Sequence, residues 1–211
     1  MIKVIDYINT NRDRYITELT QFLAIPSISA LPQHVGDLQR CAEWSAAEMT
    51  RIGLQNVRLE STPGNPVVYG EWLGAPGKPT ILFYGHYDVQ PVDPLSLWHR
   101  PPFEPVVTDH ADGRKIIVAR GAQDDKGQLS TFIEACRAWK AVTGELPIDL
   151  TIVIEGEEEV GSEHLEAFLK KNRRDLACDA VVISDNGIPS LKHPALTYAL
   201  RGIAALEIRL D

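Results

Sequence analysis

The sequence ILFYGHYD at residues 81–88 decides the fold of this chain. Its first four residues are apolar or aromatic and carry no charge, which predicts a strand buried inside a sheet. The strand leads through Gly85, which leaves room for a close approach of the backbone, into His86 and Asp88. Open α/β sheets bind ligands at the carboxyl ends of their strands, so these two side chains mark a candidate site.

Three acidic clusters also follow β-prone runs elsewhere in the chain. They are Asp124 and Asp125 in DDKG, Glu158 and Glu159 in EEVGS, and Asp185 in SDN. If the preceding runs are neighbouring strands of one sheet, all of these side chains meet at a common edge. One imidazole and several carboxylates in one place are the ligand types of a binuclear zinc hydrolase.

The spacing of apolar residues predicts an α/β fold with helices on both sides of the sheet. Helices are predicted at residues 4–23 with a break near 9–12, at 38–52, between Gly127 and Gly144, and at 162–171 with Ser162 as N-cap. Strands are predicted at residues 67–72, 80–84, 150–154 and 180–183, and a hairpin at 106–108 and 115–119. The runs at 150–154 and 180–183 are typical of strands covered on both faces. This order predicts a three-layer α/β/α sandwich with a mainly parallel central sheet.

Composition and charge exclude several classes of protein. The chain has 211 residues, of which 44% are hydrophobic and 24% charged, as expected for a globular chain with a substantial core. Its net charge of -8 argues against nucleic acid or an anionic membrane as a partner. No stretch approaches the roughly 20 apolar residues of a membrane span. Three scattered cysteines without a CxxC motif indicate buried thiols in a reducing compartment, so we expect a cytoplasmic location.

The histidine cluster has two interpretations. A single histidine is more often a surface or core residue than a metal ligand. However, residues at positions i and i+2 of an extended segment lie on the same side, so Asp88 can accept a hydrogen bond from one ring nitrogen of His86. The other ring nitrogen would then face a metal ion.

The acidic clusters also have a structural interpretation. Asp124 and Asp125 precede a predicted helix and resemble an N-cap with an acidic first turn, and Asp185 alone resembles a cap or loop residue. The segment 155–159 holds four carboxylates in five positions directly after a buried strand, where they repel one another unless a cation is shared. A carboxylate shared between two cations needs unusual backbone geometry, so we expect a cis peptide bond between Asp124 and Asp125.

Four segments together resemble the successive motifs of the cocatalytic zinc exopeptidases. They are GHYDVQP at residues 85–91, RGAQDDKG at 120–127, EEVGS at 158–162 and SDN at 184–186. That family includes carnosinase-type dipeptidases, acetylornithine deacetylase and succinyl-diaminopimelate desuccinylase. Gln90 and the doubled aspartate are more similar to the dipeptidase branch than to the deacylase branch. An N-acyl-amino-acid deacylase, or a metal-binding domain without activity of its own, remains the alternative.

The resemblance implies a role for each residue of these motifs. His86 and Asp185 would hold one divalent ion, Glu159 would help to hold a second, and Asp124 would bridge both. In addition, Asp88 would orient His86 and Glu158 would be the general acid and base. Zinc is the first candidate for both ions, and the oxygen-rich ligand set also suits manganese or cobalt. The substrate would be a dipeptide or small peptide, or an N-acyl amino acid in the alternative.

The resemblance also predicts a domain division. Residues 1–194 would be the N-terminal part of the catalytic domain, and residues 195–211 two strands that lead into a lid domain responsible for homodimerisation. In the family the second metal ion also takes a histidine from beyond the lid, and His193 matches no ligand motif. We therefore expect the 211 residues alone to show little or no turnover.

Overall fold

A computed structural model describes residues 1–190, 192–193, 195–204 and 206–210 of the chain. The helices in these residues are α1 (Ile2–Thr10), α2 (Arg12–Leu23), α3 (Val35–Arg51), α4 (Lys126–Thr143) and α5 (Leu165–Lys171). The strands are β1 (Gln55–Glu60), β2 (Val67–Trp72), β3 (Thr80–His86), β4 (Val106–Asp109), β5 (Lys115–Val118), β6 (Asp149–Glu155) and β7 (Ala180–Ile183). Within this part of the chain, no helix combines the length and the apolar character that a membrane crossing demands.

Five strands form one sheet in the order β1-β2-β6-β3-β7. Strand β3 pairs in parallel with β6 and β7, whereas β2 pairs antiparallel with both β1 and β6. Four of the five strands therefore run in one direction, and β2 runs against them. The predicted α/β fold with a mainly parallel sheet is confirmed. Strands β4 and β5 form the predicted hairpin outside this sheet.

Each face of the sheet carries its own hydrophobic core, because successive side chains of a strand point to opposite faces. On one face Phe83 and Ile152 pack with buried residues of α2, α3 and α4. On the other face their neighbours Leu82 and Val153 pack with Phe168 of α5. Helices thus cover both faces, and the predicted three layers are confirmed.

The helix boundaries follow the local signals in the sequence. The predicted break near residues 9–12 falls at Asn11, between α1 and α2. Helix α3 ends just before Gly53, and α4 ends at Gly144. Both glycines have positive φ angles, of 79° and 82°, which side chains other than glycine rarely adopt.

The structure differs from the sequence prediction at β1 and at Ser162. The sequence does not predict β1, because QNVRLE is mostly polar and only Val57 and Leu59 pack against the core. Ser162 is not the N-cap of α5, which begins at Leu165. Its φ angle of 52° excludes the extended backbone that an N-cap requires, and its hydroxyl donates to Glu155 instead, at 2.8 Å.

Two predictions for the last part of the chain are also wrong. The side chains of β7 are exposed rather than covered on both faces, because this edge strand pairs with β3 alone in the described part of the chain. Residues 195–204 and 206–210 form no strand, since none of the described residues supplies a partner for their backbone groups. Leu191, Pro194, Ala205 and Asp211 lie outside the described residues, including the predicted domain boundary at residue 194 and the end of the predicted last strand.

Candidate metal centre

His86 is the last residue of β3 and lies opposite Glu155, the last residue of β6. Its side chain is fully buried. Its backbone N–H donates to the Asp125 carboxylate at 3.1 Å, and the N–H of Tyr87 donates to the Glu155 carbonyl at 2.9 Å. The parallel pairing of β3 and β6 therefore places the imidazole where the acidic segment after β6 begins.

Carboxylates surround both nitrogens of the His86 ring. Its Nε2 atom lies 3.1 Å from Asp124 Oδ1, 3.5 Å from Asp185 Oδ2 and 3.9 Å from Glu158 Oε2. On the other side, Nδ1 lies 3.3 Å from Asp88 Oδ1 and 3.1 Å from the Asp88 carbonyl oxygen. An Nδ1–H that donates to Asp88 leaves the Nε2 lone pair free for a metal ion.

Asp88 connects the end of β3 with the turn that follows β6. Its side chain is fully buried, and its two oxygens accept the backbone N–H groups of Glu158 at 3.2 Å and Glu159 at 3.1 Å. Those residues begin the 3-10 turn Glu158–Val160. One carboxylate thus contacts the imidazole and also holds both adjacent glutamates in place.

The Asp124–Asp125 peptide bond is cis, as predicted. The Asp124 side chain is 58% exposed and faces His86, whereas Asp125 is fully buried. In addition to the bond from the His86 backbone, Asp125 has one oxygen, Oδ1, without a hydrogen-bond partner among the described residues. A Cβ atom at Gly85 would lie 2.8 Å from Asp125 Oδ2, so this glycine makes room for the carboxylate. The sequence alone indicates no separate role for Asp125. The feature that points to it is its position directly after Asp124.

Burial and neighbouring charges shift the pKa values of His86 and Asp125. Burial raises the pKa of Asp125 to about 7, although the charge and the backbone N–H of His86 act in the opposite direction. Burial alone would lower the pKa of His86. The hydrogen bond to Asp88 and the charges of Asp88, Asp125 and Glu158 outweigh that effect and raise the His86 pKa to about 10.

The remaining carboxylates also bind protons more tightly than usual. Burial is the largest cause of the raised pKa of Glu158, Glu159 and Asp185, and their negative neighbours add to it. The charge of Asp124 raises the pKa of both Glu159 and Asp185. So much negative charge in one place is relieved by a bound cation.

The donor atoms fit a divalent metal ion. Ligand atoms of His86, Glu158 and Asp185 all lie within 4.8 Å of one another, and the Asp124 carboxylate adjoins the same imidazole. An imidazole with several carboxylates is a ligand set for zinc, manganese or cobalt. The structure brings together five of the residues predicted for the site, namely His86, Asp88, Asp124, Glu158 and Asp185. Glu158, the predicted general acid and base, also has a carboxylate oxygen near the donor atoms of His86 and Asp185.

Glu159 is the predicted ligand that lies apart from this group. In the described structure its carboxylate accepts a hydrogen bond from Gln90 Nε2 at 2.7 Å and has no contact with His86.

A pocket of about 520 Å³ opens beside the ligand group. Its polar lining residues are Arg120, Gln123, Asp124, Gln128, Asp185 and Asn186.

Comparison with known proteins identifies the family. The model of peptidase family M20/M25/M40 matches residues 82–201, more than half of the chain, and this range contains every residue of the site. The chain belongs to this family. The resemblance read from its four motifs is thereby confirmed.

Two curated relatives of this M20 family member are named as dipeptidases. The Cys-Gly metallodipeptidase dug1 of Schizosaccharomyces pombe is 32% identical over 99% of this chain and 45% of its own length. The human Beta-Ala-His dipeptidase is 34% identical over 95% of this chain and 41% of its own length. The M20 chain therefore spans less than half the length of these relatives.

Solved structures support the same fold for the M20 chain. The di-peptidase Dug1p from Saccharomyces cerevisiae has a TM-score of 0.79 and 31% identity, and the match covers 89% of this chain and 41% of that protein. Human carnosine dipeptidase 1 has a TM-score of 0.77 and 34% identity, with coverage of 87% and 41%.

Proposed function

We propose that this chain carries the metal centre of a metallodipeptidase that hydrolyses the amide bond of a dipeptide or small peptide. The observation that supports this most directly is the arrangement of Asp124, Asp185 and Glu158 around Nε2 of the buried His86. The relatives at 32% and 34% identity have dipeptidase names, so the N-acyl-amino-acid deacylase is not favoured.

Two divalent ions would be held by four residues. His86 and Asp185 would hold one ion, Glu159 would help to hold the second, and Asp124 would be shared between them. The raised pKa values of Glu159 and Asp185, both affected by Asp124, support this assignment. Zinc is the proposed metal, with manganese and cobalt as chemical alternatives. When bound, such an ion pair polarises a carbonyl group and lowers the pKa of a water molecule.

Glu158 and Asp88 supply the protein's part of the chemistry. The Glu158 side chain is 38% exposed, lies beside the ligand group and has a raised pKa, mainly through burial. It accepts a proton from the attacking water and gives a proton to the amine nitrogen that leaves as the carbon–nitrogen bond breaks. Asp88 keeps the His86 ring in one tautomer and holds the backbone of Glu158.

The proposal includes a low turnover for these 211 residues alone. His86, Asp124 and Asp185 offer three protein ligands to one ion, and Glu159 with Asp124 offers two to the other. Three protein ligands and a water make a catalytic zinc site, whereas an ion with two is easily lost. The further histidine and the dimerising lid implied by the resemblance would complete the enzyme, and sedimentation of a longer protein tests the homodimer.

The cellular location is a separate proposal. Cys41, Cys136 and Cys178 are all free thiols, and the first two are buried. Free thiols persist in a reducing compartment, which supports the cytoplasm. Fractionation of cells that express the protein tests this location.

The metal centre is tested by calorimetric zinc titration of the wild type and of His86→Ala. We expect the variant to lose most of its zinc affinity. His110→Ala is the matched control, because His110 also lies beside an aspartate, Asp112, at 2.9 Å but is exposed. Wild-type protein without zinc binding, or equal binding by His86→Ala, would refute the proposal. Anomalous scattering at the zinc edge would locate the ions directly.

A further inference from the structure

We propose that Gln90 is a positioning residue that restrains the side chain of Glu159, the proposed ligand of the second ion. Gln90 follows His86 and Asp88 at the same two-residue spacing. The inference rests on the proposed function, because it concerns Glu159 as a ligand of the second ion. The evidence is the geometry of the segment that follows β3.

The backbone after β3 is extended, and its odd-numbered residues are fixed on the side away from the site. The N–H of Tyr87 donates to the Glu155 carbonyl at 2.9 Å, and the N–H of Val89 donates to the Ser27 carbonyl at 2.9 Å. The Ser27 hydroxyl donates to the Tyr87 carbonyl at 2.6 Å. The side chains of Tyr87 and Val89 are both fully buried.

Alternation then directs the even-numbered residues toward the turn after β6. His86 enters the ligand group, and Asp88 accepts the backbone N–H groups of Glu158 and Glu159. Gln90 continues the row: its Nε2 donates to Glu159 Oε2 at 2.7 Å and lies 3.4 Å from the Glu159 carbonyl oxygen. Asp88 thus holds the backbone of Glu159, and Gln90 holds its side chain.

The chemistry of an amide suits this task. Gln90 engages one carboxylate oxygen of Glu159 and leaves the other oxygen available to a cation. A hydrogen bond to a carboxylate is stronger than one between neutral groups, so it restrains an otherwise flexible side chain. Because the amide carries no charge, it does not neutralise the carboxylate as a lysine would. Hydrogen-bond partners of metal ligands typically change metal affinity about 10–100-fold when they are removed.

The first test is a zinc titration of Gln90→Met, which keeps the length of the side chain and removes the donor. We expect the weaker zinc step to lose about 10–100-fold in affinity, while the tighter step on His86 is unchanged. Gln39→Met is the matched control, since Gln39 Nε2 donates to a glutamate, Glu43, at 2.9 Å on the remote helix α3. A second zinc bound equally well by Gln90→Met and wild type would overturn the inference.

The second test needs no metal. ¹³C relaxation of the Glu159 side chain in metal-free protein should show increased mobility in Gln90→Met and no change in Gln39→Met. Unchanged mobility in Gln90→Met refutes the role of Gln90 whether or not zinc binds. Wild-type protein that fails to bind zinc refutes the proposed function instead, so the two failures are distinguishable. Equal thermal stability of the two variants would exclude general misfolding.

Discussion

The Nδ1 atom of His86 lies 3.3 Å from Asp88 Oδ1, and both side chains are fully buried. The same carboxylate accepts the backbone N–H groups of Glu158 and Glu159. Asp88 therefore couples the orientation of the imidazole to the position of the two glutamates. Any change at this residue should affect both sides of the metal centre.

Asp88→Asn should weaken zinc binding by about 10–100-fold. The amide can accept hydrogen bonds through one oxygen only, so one of the two backbone N–H groups faces an NH₂ group. The buried imidazole also loses its charged partner. Competition with a chromophoric chelator measures the affinity. Asp112→Asn, which alters an exposed aspartate beside His110, is the control, and an equal effect of the two substitutions would contradict the assigned role.

Glu158→Gln should retain zinc but reduce dipeptide hydrolysis by about 10²–10⁴-fold in a protein that contains the complete active site. The amide has nearly the same shape as the carboxylate but cannot take up the proton of the attacking water. Zinc titration and dipeptide hydrolysis are measured on the same preparation. If the substitution costs as much zinc affinity as His86→Ala, Glu158 is a metal ligand rather than the proposed base.

The zinc-free protein should lose stability as the pH rises. Asp125 has a folded pKa of about 7 against an ordinary 3.8, so its contribution is complete below 3.8 and is lost as the pH rises through 7. His86 has a folded pKa of about 10 against an ordinary 6.5, so its contribution is complete below 6.5 and is lost through pH 10. In both cases the folded state binds the proton more tightly than the unfolded state.

Urea denaturation with a chelator present, between about pH 5 and about pH 9, measures this dependence as the free energy of unfolding. Asp125→Asn should make the curve less steep below pH 7, because it removes the contribution of Asp125 and leaves that of the other carboxylates with raised pKa values. A free energy of unfolding that rises across the range, or an unchanged slope in the variant, would be inconsistent with these shifts.

Gly85→Ala should destabilise the protein by about 1–3 kcal/mol. The new methyl group would lie 2.8 Å from Asp125 Oδ2, so the buried carboxylate must move away from the His86 backbone. Thermal and urea denaturation measure the loss, and zinc affinity should fall with it. Gly36→Ala is the control: no atom lies within 4 Å of its added methyl group, and alanine is favoured in helix α3. Equal stability of the two variants would contradict the steric argument.

Local features of the sequence were sufficient to predict much of the fold. Strand β3, the hairpin and helix α4 follow from short apolar runs, a turn and a helical repeat, all of which involve nearby residues. Strand β1 escaped prediction because its polar sequence becomes a strand only by pairing with β2. The predicted strands after residue 195 have no pairing partner among the described residues and are not formed there. Both cases show that a strand requires a partner strand as well as a suitable sequence.

By itself, the sequence determined the kind of site, because the predicted ligands His86, Asp124, Glu159 and Asp185 and the predicted base Glu158 all follow recognisable runs. Tertiary structure alone decided which atoms meet. The hydrogen bonds from Glu158 to Asp88 and from Gln90 to Glu159 join residues that are 70 and 69 positions apart. Such contacts depend on the pairing of β3 with β6. The burial of Asp125 depends on helix α4, which begins at the next residue. No local pattern encodes these distances, since they arise only when separate strands and helices share one core.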